Sequence, residues 1–367
     1  MITPPKRPPL PALTSLRFFA AADVVVFHGI SPEIQNTYLH GLAAAGYQAV
    51  TFFFMLSGFI LTYVYNGRLE KEYLNVPTRE FWRARIARIL PAYFLGLAIA
   101  LPHMLYSTFI SKMDSVQALI VSLVLVPLLV QAWWPPAAMA WNPPAWSLSV
   151  ECFFYFSFPM LARTIAQLSR SSFLLLAFAL VVVVAAIREA IPLPTNDFSN
   201  SLEWNFKLFF PVFHLPQFIF GMALGRVYLF NSASSDRVHA AMLSAGAVGV
   251  IVMFGTRSIL PIWMQNDAAL ALLYGLVIFG GAQAGAPFKV LVFPLLTLLG
   301  EASYALYIIH LPIAWWWNWL TRGLFLPRFV SFFLYFLIVT VLSIFIYRWV
   351  ERPARRWILG HREHQAV

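Results

Sequence analysis

The chain holds 367 residues, 60% of them hydrophobic and only 11% charged, with a net charge of +10 and a mean hydropathy of +0.73. Soluble domains carry about a quarter of their residues as Asp, Glu, Lys and Arg, so this composition excludes one and assigns most of the surface to lipid. The positive charge does not read as a nucleic-acid face, because Lys and Arg fall in short segments between apolar runs, the footprint of membrane orientation. A single cysteine, Cys152, excludes an intramolecular disulfide framework and any multi-cysteine metal cluster.

The N-terminal stretch MITPPKRPPLPAL is Pro-rich and basic, and the apolar run after it is interrupted by Arg17 and Asp23. That suits no signal-peptide core, so residues 1–11 are expected to be a cytoplasmic tail, as are 357–367. A window of ~20 residues, the length needed to cross ~30 Å of hydrocarbon, marks apolar segments near 12–30, 45–65, 88–108, 116–134, 145–166, 171–188, 208–230, 239–256, 268–284, 291–319 and 329–350. Basic residues collect in the connection 66–88, in the turn holding Arg163 and Arg170, and at the C-terminus around Arg348, Arg352, Arg355 and Arg356. These fall on one side only if 116–134 dips in and out of the opposite face. The expectation is therefore an all-α polytopic bundle of about 10 transmembrane helices plus one re-entrant segment, a single membrane domain over 1–367, with both termini cytoplasmic. The loop QAWWPPAAMAWNPPAW, uncharged and rich in Trp and Pro, suits an ordered loop at the outer interface, where Trp is enriched.

Ionisable residues inside apolar segments cost at least ~2.5–3.5 kcal/mol at the bilayer centre unless paired or hydrated, which makes them functional candidates. In LTSLRFFAAADVVVFHG, Arg17 and His28 are eleven residues apart, which places them about 20° apart on one helical face and ~16 Å along the axis. Asp23 lies on another face, free to meet Arg17 or a neighbouring helix. In WSLSVECFFYFSFP, Ser147, Glu151 and Tyr155 form a polar stripe at i, i+4 spacing; Glu151 either neutralises a buried cation or orients an imidazole. In FWRARIARILPAY, Arg85 and Arg88 sit one turn apart, as stop-transfer charges or as a clamp for phosphates, while Arg83 needs only the first role. In GEASYALYIIHLP, Ser303, Tyr307 and His310 share a face, with Glu301 at its start; these read as helix-bridging groups.

Taken in order, these four strings together with FFFMLSGFILT and VERPARRW resemble acyltransferase family 3, the integral membrane O-acyltransferases, over essentially the whole chain. The resemblance implies a ten-helix core that moves an acyl group, commonly acetyl, from cytoplasmic acyl-CoA to a hydroxyl of a carbohydrate or other acceptor. It assigns the first-helix arginine and histidine to Arg17 and His28, the basic motif to Arg85 and Arg88, and the helix glutamate to Glu151. Many members read Glu-Glu where this chain has Glu151-Cys152, so a second carboxylate is missing.

The resulting expectation has His28 as base or transient acyl carrier, Glu151 holding its charge and tautomer, and Arg17, Arg85 and Arg88 binding the donor. Acetyl-CoA is the expected donor, with no metal and no nucleic-acid partner. The expected acceptor is an exopolysaccharide, lipopolysaccharide or lipid-linked oligosaccharide, and the location a bacterial inner membrane. The competing expectation, a proton-coupled transporter built on Arg17, Asp23, His28 and Glu151, lacks the internal repeat such folds carry.

Overall fold

Backbone polar groups in lipid must be satisfied within their own segment, and the apolar runs of this chain do so as helices. The computed structural model describes residues 7–29, 46–65, 78–165, 168–193, 201–230, 235–257, 259–260, 266–283 and 286–360. Their helices, in chain order, are α1 (Pro11–Gly29), α2 (Ala49–Tyr65), α3 (Thr78–Phe109), α4 (Val116–Leu125), α5 (Trp146–Ile165), α6 (Arg170–Ala190) and α7 (Leu202–Phe209). There follow α8 (Leu215–Phe230), α9 (Asp236–Gly255), α10 (Asp267–Ala282), α11 (Pro294–Glu301), α12 (Ser303–Leu320), α13 (Arg328–Ile346) and α14 (Arg352–Leu359). No strand occurs among the described residues. Ser115, Ser169, Ser201 and Asn266 each accept a backbone N–H at the start of α4, α6, α7 and α10, satisfying donors the helix itself leaves open.

The structure is an all-α helical membrane bundle. Among the described residues seven helical spans are long and apolar enough to cross a membrane, and α11 with α12, bent by 59°, makes an eighth if the pair is one span. The other two of the ten expected crossings fall on α5, whose 20 residues include Glu151 and Arg163, and on α10, which has 16 residues.

Segment 116–134 does not form a spanning helix. Its helix α4 has ten residues, about 15 Å, half of the ~30 Å hydrocarbon core. The chain turns at Leu129, in the left-handed region at φ 58°, and continues through short 3-10 turns at Gln131–Trp133, Pro135–Ala137 and Pro143–Ala145. Helix α3 begins ten residues before the apolar segment expected at 88, because Phe81, Ala84 and Ala87 bury one face of the basic stretch, Phe81 stacking on Phe158 at 5.7 Å. The expected C-terminal tail begins within α14, which runs to Leu359. Residues 1–6 and 361–367 lie outside the described residues.

Helices α2 and α8 run in the same direction at backbone contact. A Cβ on Gly58 would fall 2.0 Å from Phe218 O, and one on Gly221 1.9 Å from Met55 O. Association in lipid gains little from hydrophobic burial, so small residues that admit close packing hold such pairs. Gly221 and Gly225 form a GxxxG pattern along α8.

The tryptophan-rich loop is stitched into the bundle by its side chains. Trp141, at φ 62°, donates Nε1–H to Leu97 O at 3.0 Å, and Asn142, fully buried, donates Nδ2–H to Ile308 O at 3.0 Å. Ile308 O would ordinarily accept from the N–H of residue 312, but that residue is Pro312, which has none. Asn142 fills the vacancy, and Gly96 leaves it room, since a Cβ there would meet Ile308 Cγ2 at 2.3 Å. Asn142→Ala is therefore expected to destabilise the fold by about 1–3 kcal/mol, the cost of an orphaned buried carbonyl, read as a lowered melting temperature in detergent.

Candidate active site

Helix α1 is uninterrupted from Pro11 to Gly29, so Arg17 and His28 keep the common face and ~16 Å separation its geometry dictates. Each is met by a different set of neighbours.

His28 faces His310 on α12. The two rings approach with His28 Nδ1 3.2 Å from His310 Nε2 and centroids 5.0 Å apart. Their tautomers follow from the carbonyls around them, which can only accept. His310 Nδ1 lies 2.7 Å from Tyr307 O and so carries its proton there, leaving Nε2 as an acceptor. His28 Nδ1, 3.0 Å from Val24 O, is likewise protonated and is shared between that carbonyl and His310 Nε2. The lone pair of His28 is thereby placed on Nε2. His310 is fully buried while His28 is exposed, so the ring with the free lone pair is also the accessible one.

His310 is held directly by one further hydrogen bond, within a network that joins the neighbouring segments. Tyr335 Oη donates to its carbonyl at 2.9 Å, and Tyr307 Oη lies 2.8 Å from Ser147 Oγ and donates to Pro144 O at 3.1 Å. Ser303 donates to Gly300 O at 2.7 Å within its own segment. At Gly300 the backbone of α1 abuts the bend between α11 and α12, a Cβ there falling 1.9 Å from Thr14 O. That contact fixes α1 against the segment leading into α12 and so sets the approach of the two histidines. Tyr307 is a bridging group as the sequence suggests, Ser303 bonds only locally, and His310 has a more specific place than the sequence reading gave it.

Arg17 faces the opposite end of the bundle, among Arg88, Glu151, Glu351 and Tyr155, all within electrostatic reach. Glu151 accepts from Tyr155 Oη in a short hydrogen bond and from Ser57 Oγ at 3.2 Å. The alignment of Ser147, Glu151 and Tyr155 is realised, but the stripe divides: Ser147 serves the histidine pair and Glu151 the arginines. No hydrogen bond joins Glu151 to His28 among the described residues. Arg85 lies over the rings of Phe81 at 5.8 Å and Tyr155 at 5.6 Å, with its Nε buried and unpartnered. Arg83 donates Nη2–H to Ile358 O at 2.6 Å and so ties α3 to α14. Among the described residues Asp23 meets neither Arg17 nor His28 and lies within electrostatic reach of Tyr274 on α10.

The sequence reading missed Glu351 and gave His310 only a helix-bridging role. Glu351 sits in the VERPARRW string yet reads locally as one acid among arginines; the structure sets it against Arg17, Arg88 and Arg355. His310 lies 282 residues from its partner, and only its presence on a polar helical face signalled it. Among the described residues no group of three or more His, Cys, Asp and Glu converges as a metal site.

The described residues define a class of protein, a helical membrane bundle that brings together an exposed imidazole and, ~16 Å away along α1, a half-buried cluster of arginines and carboxylates. Comparison with known proteins narrows that class. Residues 10–348 match the acyltransferase domain of the acyltransferase 3 family, and the chain belongs to that family. It is similar to acyltransferase MdmB of Streptomyces mycarofaciens, 29% identical over 84% of this chain and 79% of the relative. It is also similar to O-acetyltransferase OatA of Staphylococcus aureus, 22% identical over 95% of this chain, which spans 57% of that protein. No solved structure matches. The chain is a membrane O-acyltransferase.

Proposed function

We propose that the protein transfers an acyl group, acetyl in the first instance, from acyl-CoA bound at Arg17, Arg85 and Arg88 to a carbohydrate hydroxyl positioned at His28. The observation that carries this reading is the oriented, accessible Nε2 of His28. An acceptor O–H gives its proton to that nitrogen as its oxygen attacks the thioester carbonyl; the C–S bond breaks, and the coenzyme thiolate takes the proton back from the imidazolium. The charge that appears on His28 is spread toward Val24 O and His310 Nε2, two acceptors already in line with Nδ1. His310 therefore has the orienting role the sequence suggested for Glu151, while Glu151 balances the donor-binding arginines.

The arginines suit a phosphate-rich donor because guanidinium groups bind phosphate oxygens in pairs. The ~16 Å from Arg17 to His28 is a distance an extended pantetheine arm bridges, which puts the thioester beside the imidazole while the phosphates stay at the basic end. Basic residues collect at that end, which under the positive-inside rule supports a cytoplasmic placement of it and of both termini; the bacterial relatives support a bacterial inner membrane. The tryptophan-rich end, with Trp133, Trp134, Trp316 and Trp319 exposed, then faces outward, where a glycan such as an exopolysaccharide, lipopolysaccharide or lipid-linked oligosaccharide would be met. OatA is an O-acetyltransferase by name, which supports the hydroxyl acceptor and the acetyl group.

The test is acetyl-CoA binding to purified protein by calorimetry. The unaltered chain should bind in the micromolar range and the Arg85→Ala, Arg88→Ala double variant at least about a hundredfold more weakly, two charge-assisted contacts of ~1.5–3 kcal/mol each being lost. Equal binding by both would remove the arginines from the donor site.

A further inference from the structure

We propose that Glu351 is the resident counter-anion of the Arg17 and Arg88 pair, turned into the bundle by a π turn, and that an anionic donor binds by taking its place. This rests on the donor reading only for the identity of the anion.

The turn comes first. After α13 the chain makes a π-helical turn over Tyr347–Glu351 before continuing as α14. Such turns are rare and concentrate at functional sites. Here Pro353 has no N–H to continue the α-helical register to Trp349 O. The turn is fastened at both sides: Tyr347 Oη donates to Glu301 Oε2 at 2.8 Å, and Arg83 ties the end of α14 to α3 through Ile358 O at 2.6 Å. Between these two fastenings Glu351 faces inward.

The charges come second. Arg17 and Arg88 lie within electrostatic reach of each other, an arrangement unfavourable in a low-dielectric interior without an anion between or beside them. Two carboxylates answer this, and they are held differently. Glu151 is fixed by hydrogen bonds from Tyr155 and Ser57. Glu351 lies within reach of Arg17, Arg88 and Arg355, yet its Oε1 is buried with no hydrogen-bond partner. A buried carboxylate oxygen held by charge alone has less to lose on leaving than one held by directed bonds. Glu151 is the permanent anion of the cluster and Glu351 the exchangeable one, so phosphate entering the cluster meets arginines already gathered and displaces one side chain.

The experiment measures binding of coenzyme A and of inorganic pyrophosphate to the full chain and to Glu351→Gln, by calorimetry in detergent. Removing the competing charge should tighten binding of both probes by roughly tenfold, and pyrophosphate should raise the melting temperature of the variant more than that of the unaltered chain. Pyrophosphate that tightens while coenzyme A binds neither protein would leave Glu351 as counter-anion and overturn the donor reading instead. Affinities that are unchanged or weaker in the folded variant would overturn the proposal, since a purely structural Glu351 leaves no competitor to remove. Should Glu351→Gln fail to fold, the Glu351→Gln, Arg88→Gln double variant, which removes both opposed charges, is expected to fold; a double variant that is also unfolded would overturn it as well.

Discussion

His28→Ala is expected to lower acyl transfer by about a thousandfold or more while leaving the helical fold intact. General-base catalysis contributes ~10²–10⁴ in rate, and the Nε2 lone pair of His28 is placed by the proton that Nδ1 shares between Val24 O and His310 Nε2. Among the described residues the contact to another helix that the substitution removes is the one to His310, so expression and melting temperature should hold.

The companion series at residue 310 separates a catalytic from a positioning role. His310→Ala removes the acceptor in line with His28 Nδ1 and should lower kcat by about ten- to a hundredfold with little change in the acyl-donor KM, because the donor phosphates bind elsewhere. His310→Gln keeps an acceptor oxygen near the place of Nε2 and should recover part of that loss. Equal loss in both variants, or a loss confined to KM, would mean that His310 only packs the bundle.

The second large effect concerns folding. Gly221→Val is expected to cost about 3 kcal/mol or more, at the upper end of overpacking penalties, because its Cβ would sit 1.9 Å from Met55 O, a backbone atom of the facing helix. Rotamer adjustment cannot relieve a backbone clash, so α2 and α8 must separate, and with α2 goes Ser57, which holds Glu151. Thermal unfolding followed by size-exclusion chromatography should show a strongly lowered transition and loss of the monodisperse species. Gly255→Ala, where an added Cβ meets nothing within 4 Å, is the matched control and should behave as the unaltered chain. A Gly221→Val variant that melts with the control would contradict the close packing of α2 on α8.

The helices and their polar faces were legible because hydropathy and the 3.6-residue period act locally. The common face of Arg17 and His28 and the stripe through Glu151 follow from spacing within one segment, whereas the re-entrant reading of 116–134 rests on where basic residues fall along the whole chain. What stayed hidden depends on which helices meet. Spacing leaves Glu151 either to a buried cation or to the imidazole; α5 sets it near Arg17, and α12 delivers His310 to His28. The α11–α12 bend was invisible because residues 291–319 read as one continuous apolar run, and its cause is the close approach of Gly300 to Thr14. Glu351 was obscured by a register shift: the π turn rotates it away from the face that α-helical counting from α13 would give. The ten expected crossings counted α5, whose polar stripe leaves it less apolar than the other spans.

The most direct test of the central claim is the release of free coenzyme A thiol from acetyl-CoA by the protein in proteoliposomes, with and without a panel of hydroxyl-bearing glycans. The unaltered chain should release thiol in an acceptor-dependent manner that His28→Ala abolishes. Acceptor-dependent release at a comparable rate by His28→Ala would contradict the assignment of His28 as the base of the transfer.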